Sequence, residues 1–328
     1  MMGLRAGLLG VGMMGRHHAR VLREVDGVDL VAIADPGGDP HGVAGDLEVL
    51  PDIDALIAAG IDIAVVAVPT RFHEDAALKL AAAGVHTLVE KPIADTVEAG
   101  QRMVDAFESK GLVGAVGHVE RFNPALQELR RRLEAGEIGD VFQIATRRQS
   151  TFPARIADVG VGKDLASHDI DLTAWVAQSD YASVFAQTAF KSGRSYEDMI
   201  TITGRLSNGI IVNHLVNWLT PMKERVTVVT GDRGTFIADT STGDLTFYAN
   251  GTIDLEWESI SSFRGVSEGD ITRYAIAKRE PLKVEHEAFR DAVLGKPSEV
   301  VTMRQGLHTL SVVEAALQSA SDGMSIRL

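Results

Sequence analysis

Leu4-Arg5-Ala6-Gly7-Leu8-Leu9-Gly10-Val11-Gly12-Met13-Met14-Gly15 is the stretch that decides the fold. Its first six residues are typical of a short buried strand, and a glycine-spaced turn follows that opens a helix. Such a turn lets the backbone approach a dinucleotide pyrophosphate, whose charge then meets the helix N-terminus. We therefore predict that five residues of this turn bind a dinucleotide: Gly10, Gly12, Met13, Met14 and Gly15.

Asp35 extends this prediction. It follows a second apolar strand, Val28 to Ala34, and lies 20 positions after Gly15. A carboxylate there would accept hydrogen bonds from the adenosine ribose and repel a 2′-phosphate. The loop that follows Asp35 contains no arginine. The cofactor is therefore predicted to be NAD rather than NADP.

Strands and helices alternate up to about residue 120. The run Ile61 to Val68 is apolar except at Asp62 and rich in β-branched residues, as expected of a parallel strand that is buried on both faces. The linker from Asp35 to Leu47 is short and rich in Gly and Pro, so we expect a loop there in place of most of the usual helix. Residues 1–120 are thus predicted to form a Rossmann domain of the α/β class, with a doubly wound parallel sheet.

After residue 120 the pattern changes. A charged helix from Ala125 to Ala135 precedes several strand-like segments, and Asn208-Gly209 between two apolar runs is a strong hairpin signal. Residues 121–328 are predicted to be an α+β domain for substrate binding and oligomerisation, with a large, mostly antiparallel open sheet.

Composition excludes several classes of function. The chain has 328 residues, a net charge of −13 and no cysteine. The acidic balance argues against a nucleic-acid partner, since phosphate binding needs a basic surface. No apolar run approaches the length of a membrane span. A thiolate nucleophile and a cysteine metal site are ruled out, and we expect a cytoplasmic protein.

Glu90-Lys91-Pro92 is the first candidate for catalysis. It follows the strand-like run Val85 to Val89, so Lys91 would lie at the carboxyl edge of the sheet, where open α/β sheets bind ligands. Lysine at a strand end is more often solvated. The nearby cofactor turn nevertheless favours a role in proton transfer.

Asp164 and His168 are the second candidates. They are spaced i and i+4 at the start of a predicted helix and would share one face. An oriented histidine beside a carboxylate suits acid–base chemistry, although a polar first turn is the simpler interpretation. The spacing from His168 to Asp171 also occurs in metal sites, but no further cluster completes one, so we predict no metal.

Arginines near a loop before this helix, Arg147, Arg148 and Arg155, are either solvated or grip an anionic substrate. Two further polar clusters, His17-His18 and Glu285-His286-Glu287, are interpreted as surface residues.

Together these motifs resemble the Gfo/Idh/MocA family of NAD(P)-dependent oxidoreductases over essentially the whole chain. The resemblance rests on an ordered set of segments: Gly10 to Gly15, Val68-Pro69-Thr70-Arg71-Phe72-His73, Glu90-Lys91-Pro92, Arg121-Phe122-Asn123-Pro124 and Asp164-x-x-x-His168. It implies that Lys91, Asp164 and His168 form the catalytic group and that the Lys91–Pro92 bond is cis. It also implies that Pro69 and His73 line the nicotinamide side of the cofactor site. The other residues predicted to bind the cofactor are Thr70, Glu90, Lys91 and Pro92.

A narrower likeness is to the sugar-nucleotide members, and UDP-N-acetylglucosamine 3-dehydrogenases match best in pattern. It implies NAD-dependent oxidation of a ring secondary alcohol, with the 3-hydroxyl of a UDP-N-acetylhexosamine as the best guess. Substrate contacts would come from Asn123, Arg148, Arg155 and His168. Either His168 or Lys91 would accept the proton. The alternatives are a myo-inositol or free-sugar dehydrogenase and a non-catalytic NAD-binding regulator. Family members pair through the second-domain sheet, which implies a homodimer or homotetramer.

Overall fold

The computed structural model describes residues 3–152, 159–251 and 267–328. They form two compact units. The first comprises Met1–Val119 and Glu280–Ser311, and the second comprises Glu120–Arg279 and Val312–Leu328. The predicted division at residue 120 places residues 280–311 in the second domain, whereas in the structure they belong to the first unit.

The first unit contains a six-stranded parallel sheet in the order β3-β2-β1-β4-β5-β6. Its strands are β1 Leu4–Leu9, β2 Val28–Ala34, β3 Val49–Leu50, β4 Ile63–Val66, β5 His86–Glu90 and β6 Gly114–Gly117. This order is that of a Rossmann sheet, which confirms the predicted fold class.

Side chains of neighbouring residues on these strands enter opposite faces of the sheet. Leu8 and Val65 belong to one apolar cluster, whereas Leu9 and Val66 belong to another. Successive side chains of a strand alternate between faces, so a strand covered on both sides must be apolar at every position. This requirement explains the unbroken apolar runs in the sequence.

Helices cover the two faces of this sheet: α1 Met13–Glu24, α2 Ile53–Ala58, α3 His73–Ala82 and α4 Val97–Glu108. Helix α4 begins at Thr96, whose side chain accepts a hydrogen bond from the Ala99 N–H. The link from β2 to β3, residues 35–48, is built of turns, as its Gly and Pro content predicts.

The returning segment carries α7, Pro281–Val293, and the start of α8, Met303–Asp322. Leu282 and Phe289 of α7 are buried in the cluster that contains Leu8. Met303 and Leu307 of α8 join the cluster on the other face. These apolar side chains hold the segment in the first unit.

The second unit contains a nine-stranded sheet in the order β14-β13-β12-β11-β7-β10-β9-β8-β15. Its strands are β7 Val141–Thr151, β8 Tyr181–Ala189, β9 Met199–Leu206, β10 Ile211–Asn217, β11 Leu219–Gly231, β12 Gly234–Asp239, β13 Asp244–Gly251, β14 Ser267–Arg273 and β15 Ile326–Arg327. Within this sheet, only the β7–β10 pair is parallel among the strand pairs of the described residues. The predicted, mostly antiparallel sheet is confirmed.

Two helices of this unit contribute to its apolar core, α5 Pro124–Glu134 and α6 Ser167–Ala177. Helix α5 begins at Asn123, whose side chain accepts a hydrogen bond from the Ala125 N–H, and Pro124 occupies the first helical position. A wider π-helical turn, Gly162–Ala166, leads directly into α6. Such turns are frequent at functional sites.

Candidate active site

The glycine turn after β1 has the shape of an anion cradle. Gly10 has φ +96°, and a Cβ on Gly15 would lie 2.0 Å from the Gly10 carbonyl oxygen, so both positions require glycine. A Cβ on Gly12 would meet nothing within 4 Å. Gly12 also precedes helix α1 without a side-chain cap, and no acidic residue lies in the first turn. The first N–H groups of α1 can therefore receive a pyrophosphate.

Asp35 lies against this cradle. Its Oδ2 accepts a hydrogen bond from the Val11 N–H at 2.9 Å, and its Oδ1 accepts one from the Gly37 N–H at 2.7 Å. These two bonds fix the carboxylate between the loops that follow β1 and β2. The half-buried side chain is thereby held where an adenosine ribose would pass.

The loops after β4 and β5 are tied together by His73. This histidine is 1 % exposed, and its ring nitrogens lie 2.9 Å from the Val68 carbonyl and 3.0 Å from the Pro92 carbonyl. Burial lowers the pKa of His73, although the two carbonyl contacts oppose this effect. The ring of His73 is thus covered and joins the two loops, and its role on the nicotinamide side stays a prediction.

Lys91 follows β5 at the same edge of the sheet as the cradle, because carboxyl ends of parallel strands share one edge. The Lys91–Pro92 peptide bond is cis, as the resemblance implies. Lys91 is half-buried and Pro92 is buried, whereas Pro69 is exposed and Thr70 is half-buried. The structure thus brings Asp35, the glycine turn and Lys91 to one edge of one sheet.

The Glu90 side chain points into the first unit. Its Oε1 lies 2.8 Å from Nε2 of His18, and Nδ1 of His18 lies 2.8 Å from Nε2 of His286. His18 is 0 % exposed, and Glu285 and His286 are 1 % and 2 % exposed. The interpretation of His18, Glu285 and His286 as surface residues was therefore wrong.

Helical periodicity could have revealed these histidines. His18 is three positions after the buried Gly15 and four before the buried Leu22. His286 lies four positions after Leu282 and three before Phe289, which are also buried. Both histidines therefore lie on the apolar stripe of their helix.

The second unit carries the other two predicted catalytic residues, both half-buried. Asp164 lies in the π-helical turn, and His168 follows in the first turn of α6. Glu197 holds the turn: its Oε1 accepts a hydrogen bond from the Gly162 N–H at 2.8 Å. A Cβ on Gly160 would lie 2.1 Å from the same carboxylate, so Gly160 leaves the room that Glu197 needs.

Ion pairs anchor α6 at two positions shortly after His168. Asp169 accepts a hydrogen bond from Nε of Arg148 at 2.9 Å, and Asp171 binds both Arg121 nitrogens at 2.6 and 2.8 Å. All four side chains are buried. Asp171, which the sequence placed near the candidate face, thus has a structural contact that fixes the helix.

The predicted substrate residues have other contacts. Arg148 is 3 % exposed and also binds Glu120 at 3.0 Å, which argues against a role in gripping a diphosphate, because its charge is balanced internally. Asn123 is 7 % exposed; it caps α5 and donates to the Thr240 carbonyl at 2.9 Å. Arg155 lies outside the described residues.

Within residues 3–152, 159–251 and 267–328, no group of three His, Cys, Asp or Glu side chains is arranged to hold a metal ion. No helix in these ranges combines the length and apolar character needed to cross a membrane.

Comparison with known proteins defines the class first. Residues 4–118 match the model of an oxidoreductase family with an NAD-binding Rossmann fold, and residues 126–237 match the C-terminal domain of the Gfo/Idh/MocA proteins. These two ranges span more than half of the chain. The protein is therefore an NAD-binding oxidoreductase, and the chain belongs to the Gfo/Idh/MocA family.

Several relatives are similar over most of their length. A UDP-N-acetylglucosamine 3-dehydrogenase from Acidithiobacillus ferrooxidans is 29 % identical, with 89 % of this chain and 90 % of the relative covered. A scyllo-inositol 2-dehydrogenase (NAD⁺) of Bacillus subtilis is 26 % identical, with 99 % and 96 % covered. A solved structure of the Acidithiobacillus enzyme superimposes with a TM-score of 0.84 at 26 % identity, with 98 % and 99 % covered.

Proposed function

We propose that this oxidoreductase oxidises a ring secondary alcohol of a sugar or sugar nucleotide to a ketone, with NAD as the acceptor. The best candidate is the 3-hydroxyl of a UDP-N-acetylhexosamine. The observation that carries the proposal is the shared sheet edge of the glycine cradle, Asp35 and the Lys91 turn. Relatives named for sugar-nucleotide and inositol dehydrogenation support the same chemistry.

In the proposed reaction the alcohol loses one hydride and one proton. NAD, when bound, would supply the acceptor for the hydride of the alcohol carbon. The hydroxyl proton passes to a protein base as the C=O bond forms. We assign His168 as this base, oriented by Asp164, with Lys91 hydrogen-bonded to the reacting oxygen. Lys91 is the alternative base. A pH–rate profile does not by itself distinguish it from His168, because the profile of coupled groups describes the set and not one member.

Two substitutions test the residue assignment. Lys91→Met and His168→Ala should each lower kcat by at least about a hundredfold, the usual contribution of a positioned acid or base. Formation of NADH, followed by absorbance, measures this. An Arg102→Met variant serves as control and should retain turnover, because Arg102 lies on the exposed side of α4 and pairs with Glu74. Unchanged turnover in both test variants would contradict the assignment.

A substrate panel separates the remaining candidates. UDP-N-acetylglucosamine, UDP-N-acetylgalactosamine, myo-inositol and free hexoses are compared at equal concentration with NAD in excess. Turnover of inositol alone would refute the sugar-nucleotide proposal. Tight NAD binding with no turnover of any member would support a regulator instead. The predicted cytoplasmic location and homodimer or homotetramer remain proposals, and sedimentation measures the latter.

A further inference from the structure

Two buried histidines lie behind the Lys91 turn and have no part in the proposed hydride and proton transfers. His18 and His286 are hydrogen-bonded to each other at 2.8 Å, and His18 is bonded onward to Glu90 at 2.8 Å. Buried polar groups cost free energy unless they are bonded, and an apolar side chain would avoid that cost. The bonded chain of three side chains therefore needs a purpose other than packing.

Glu90 connects this chain to the lysine. Its Oε2 accepts a hydrogen bond from the Lys91 backbone N–H at 3.1 Å. A Cβ on Gly117 of the neighbouring strand would lie 3.3 Å from the carboxyl group, so the bare glycine leaves it room. The carboxylate is thus held between His18 on one side and the lysine backbone on the other.

The charge of Glu90 determines which atom is the donor in its hydrogen bond with His18. Burial by itself would raise the pKa of Glu90, but the hydrogen bond with His18 and the charge of Lys91 outweigh burial and lower that pKa. An ionised carboxylate only accepts hydrogen bonds, so Nε2–H of His18 must be the donor. Burial, with a smaller effect of His18, lowers the pKa of His286, which is therefore neutral at neutral pH.

We propose that His18 and His286 are positioning residues that hold the Glu90 carboxylate ionised against the Lys91 backbone, and thereby fix the lysine for reaction. The consequence for turnover rests on the proposed function. The titratable groups that face Glu90 are His18 of α1, His286 of α7, Lys91 beside it, and His73 of α3, whose pKa responds to the Glu90 charge.

Two matched substitutions of His18 isolate its bond to Glu90. His18→Gln extends an amide donor to the position of Nε2, whereas His18→Asn reaches only the position of Nδ1. The ¹³C resonance of the Glu90 carboxyl group, identified by its loss in Glu90→Gln, is titrated by NMR in the full-length protein. We expect the midpoint to rise by about one pH unit in His18→Asn and by less than half as much in His18→Gln.

Turnover provides the second measurement. His18→Asn should lower kcat about tenfold on the best substrate, with KM changed less than about threefold and the Kd of NAD less than about twofold. Most of the lost kcat should return in His18→Gln. If His18 had a purely structural role, both variants would lose stability to the same extent, and kcat would not differ between them. His17→Asn, a half-buried neighbour on α1, is the control and should match the wild type.

The outcomes are separable. A Glu90 midpoint in His18→Asn equal to that of the wild type overturns the positioning role, whatever the activity. A wild type without turnover overturns the proposed function, while the titration still decides this inference. If His18→Asn does not fold, His286→Leu and His286→Gln repeat the comparison one bond further along. The midpoint should then shift only in His286→Leu, and equal midpoints would overturn the proposal.

Discussion

Gly12 and Gly15 belong to the same turn but are glycine for different reasons. Gly15 packs against the Gly10 carbonyl, where a Cβ would lie 2.0 Å from the oxygen. Gly12 faces open space, and only an approaching ligand would use that room. We therefore propose that Gly12 serves binding, whereas the contact of Gly15 with Gly10 serves the fold.

Replacing each glycine should separate these roles. Gly12→Val should raise the Kd of NAD at least about tenfold and cost less than about 1 kcal/mol in stability, because helix caps contribute no more than that here. Gly15→Ala should destabilise the first unit by more than about 2 kcal/mol through the backbone clash. Isothermal titration and urea unfolding measure the two quantities. Equal stability losses would contradict the distinction.

Single residues also show which contacts could be predicted from the sequence and which could not. The glycine turn and Asp35 could be predicted because spacing along the chain determines their contacts. The pairing of His18 with His286 could not be predicted, although helical periodicity indicates the burial of each, because the two residues lie 268 positions apart. Contacts of that separation depend on tertiary packing, which local pattern does not encode.

Helix α6 shows how an element is fixed in place. Asp169 and Asp171 of this helix bind buried arginines of β7 and of the segment before α5, Arg148 and Arg121. A buried pair contributes little net stability compared with apolar residues, but removal of one partner leaves a buried charge uncompensated. The ion pairs therefore fix the position of α6, and with it that of His168.

Arg148→Met should cost about 3 to 5 kcal/mol in the free energy of unfolding, the usual result of breaking a buried pair. The double variant Arg148→Met with Asp169→Asn should recover part of this loss. Arg131→Met is the matched control: its pair with Glu128 is exposed on the arginine side and should contribute less than about 1 kcal/mol. Urea unfolding measures all three, and a loss in Arg148→Met no greater than that of the control would refute the anchoring role.

The sequence predicted some strands and helices better than others. Apolar runs such as Ile61 to Val68, which only Asp62 interrupts, predicted the parallel strands, although β4 itself is shorter, Ile63–Val66. The place of α7 could not be predicted, because its amphipathic face would suit either unit. Its contact with the cluster around Leu8 depends on the shape of the assembled sheet.

The whole molecule combines several buried histidines. His214 is 2 % exposed, and its ring nitrogens each lie 2.8 Å from a hydroxyl oxygen, of Thr146 and of Tyr181. Burial lowers the pKa of His214 to about 3 from its ordinary value of 6.5. Burial also lowers the pKa of His73 and of His286.

These histidines should make the protein acid-labile. Below about pH 6.5 the unfolded chain binds protons that the folded protein excludes, so the free energy of unfolding falls as pH falls. One such group contributes up to about 1.4 kcal/mol per pH unit. Urea unfolding of the wild type and of His214→Gln between pH 4 and 7 tests this. The slope against pH should decrease by about one proton in the variant, and identical slopes would contradict the prediction.

We propose that this protein removes a hydride from a ring carbon of a sugar nucleotide and passes it to NAD. The most direct test uses UDP-N-acetylglucosamine that carries deuterium at C3, followed by mass spectrometry of the reduced cofactor. We expect NADH that is one mass unit heavier than the product from unlabelled substrate. Reduced cofactor of ordinary mass, or none at all, would contradict it.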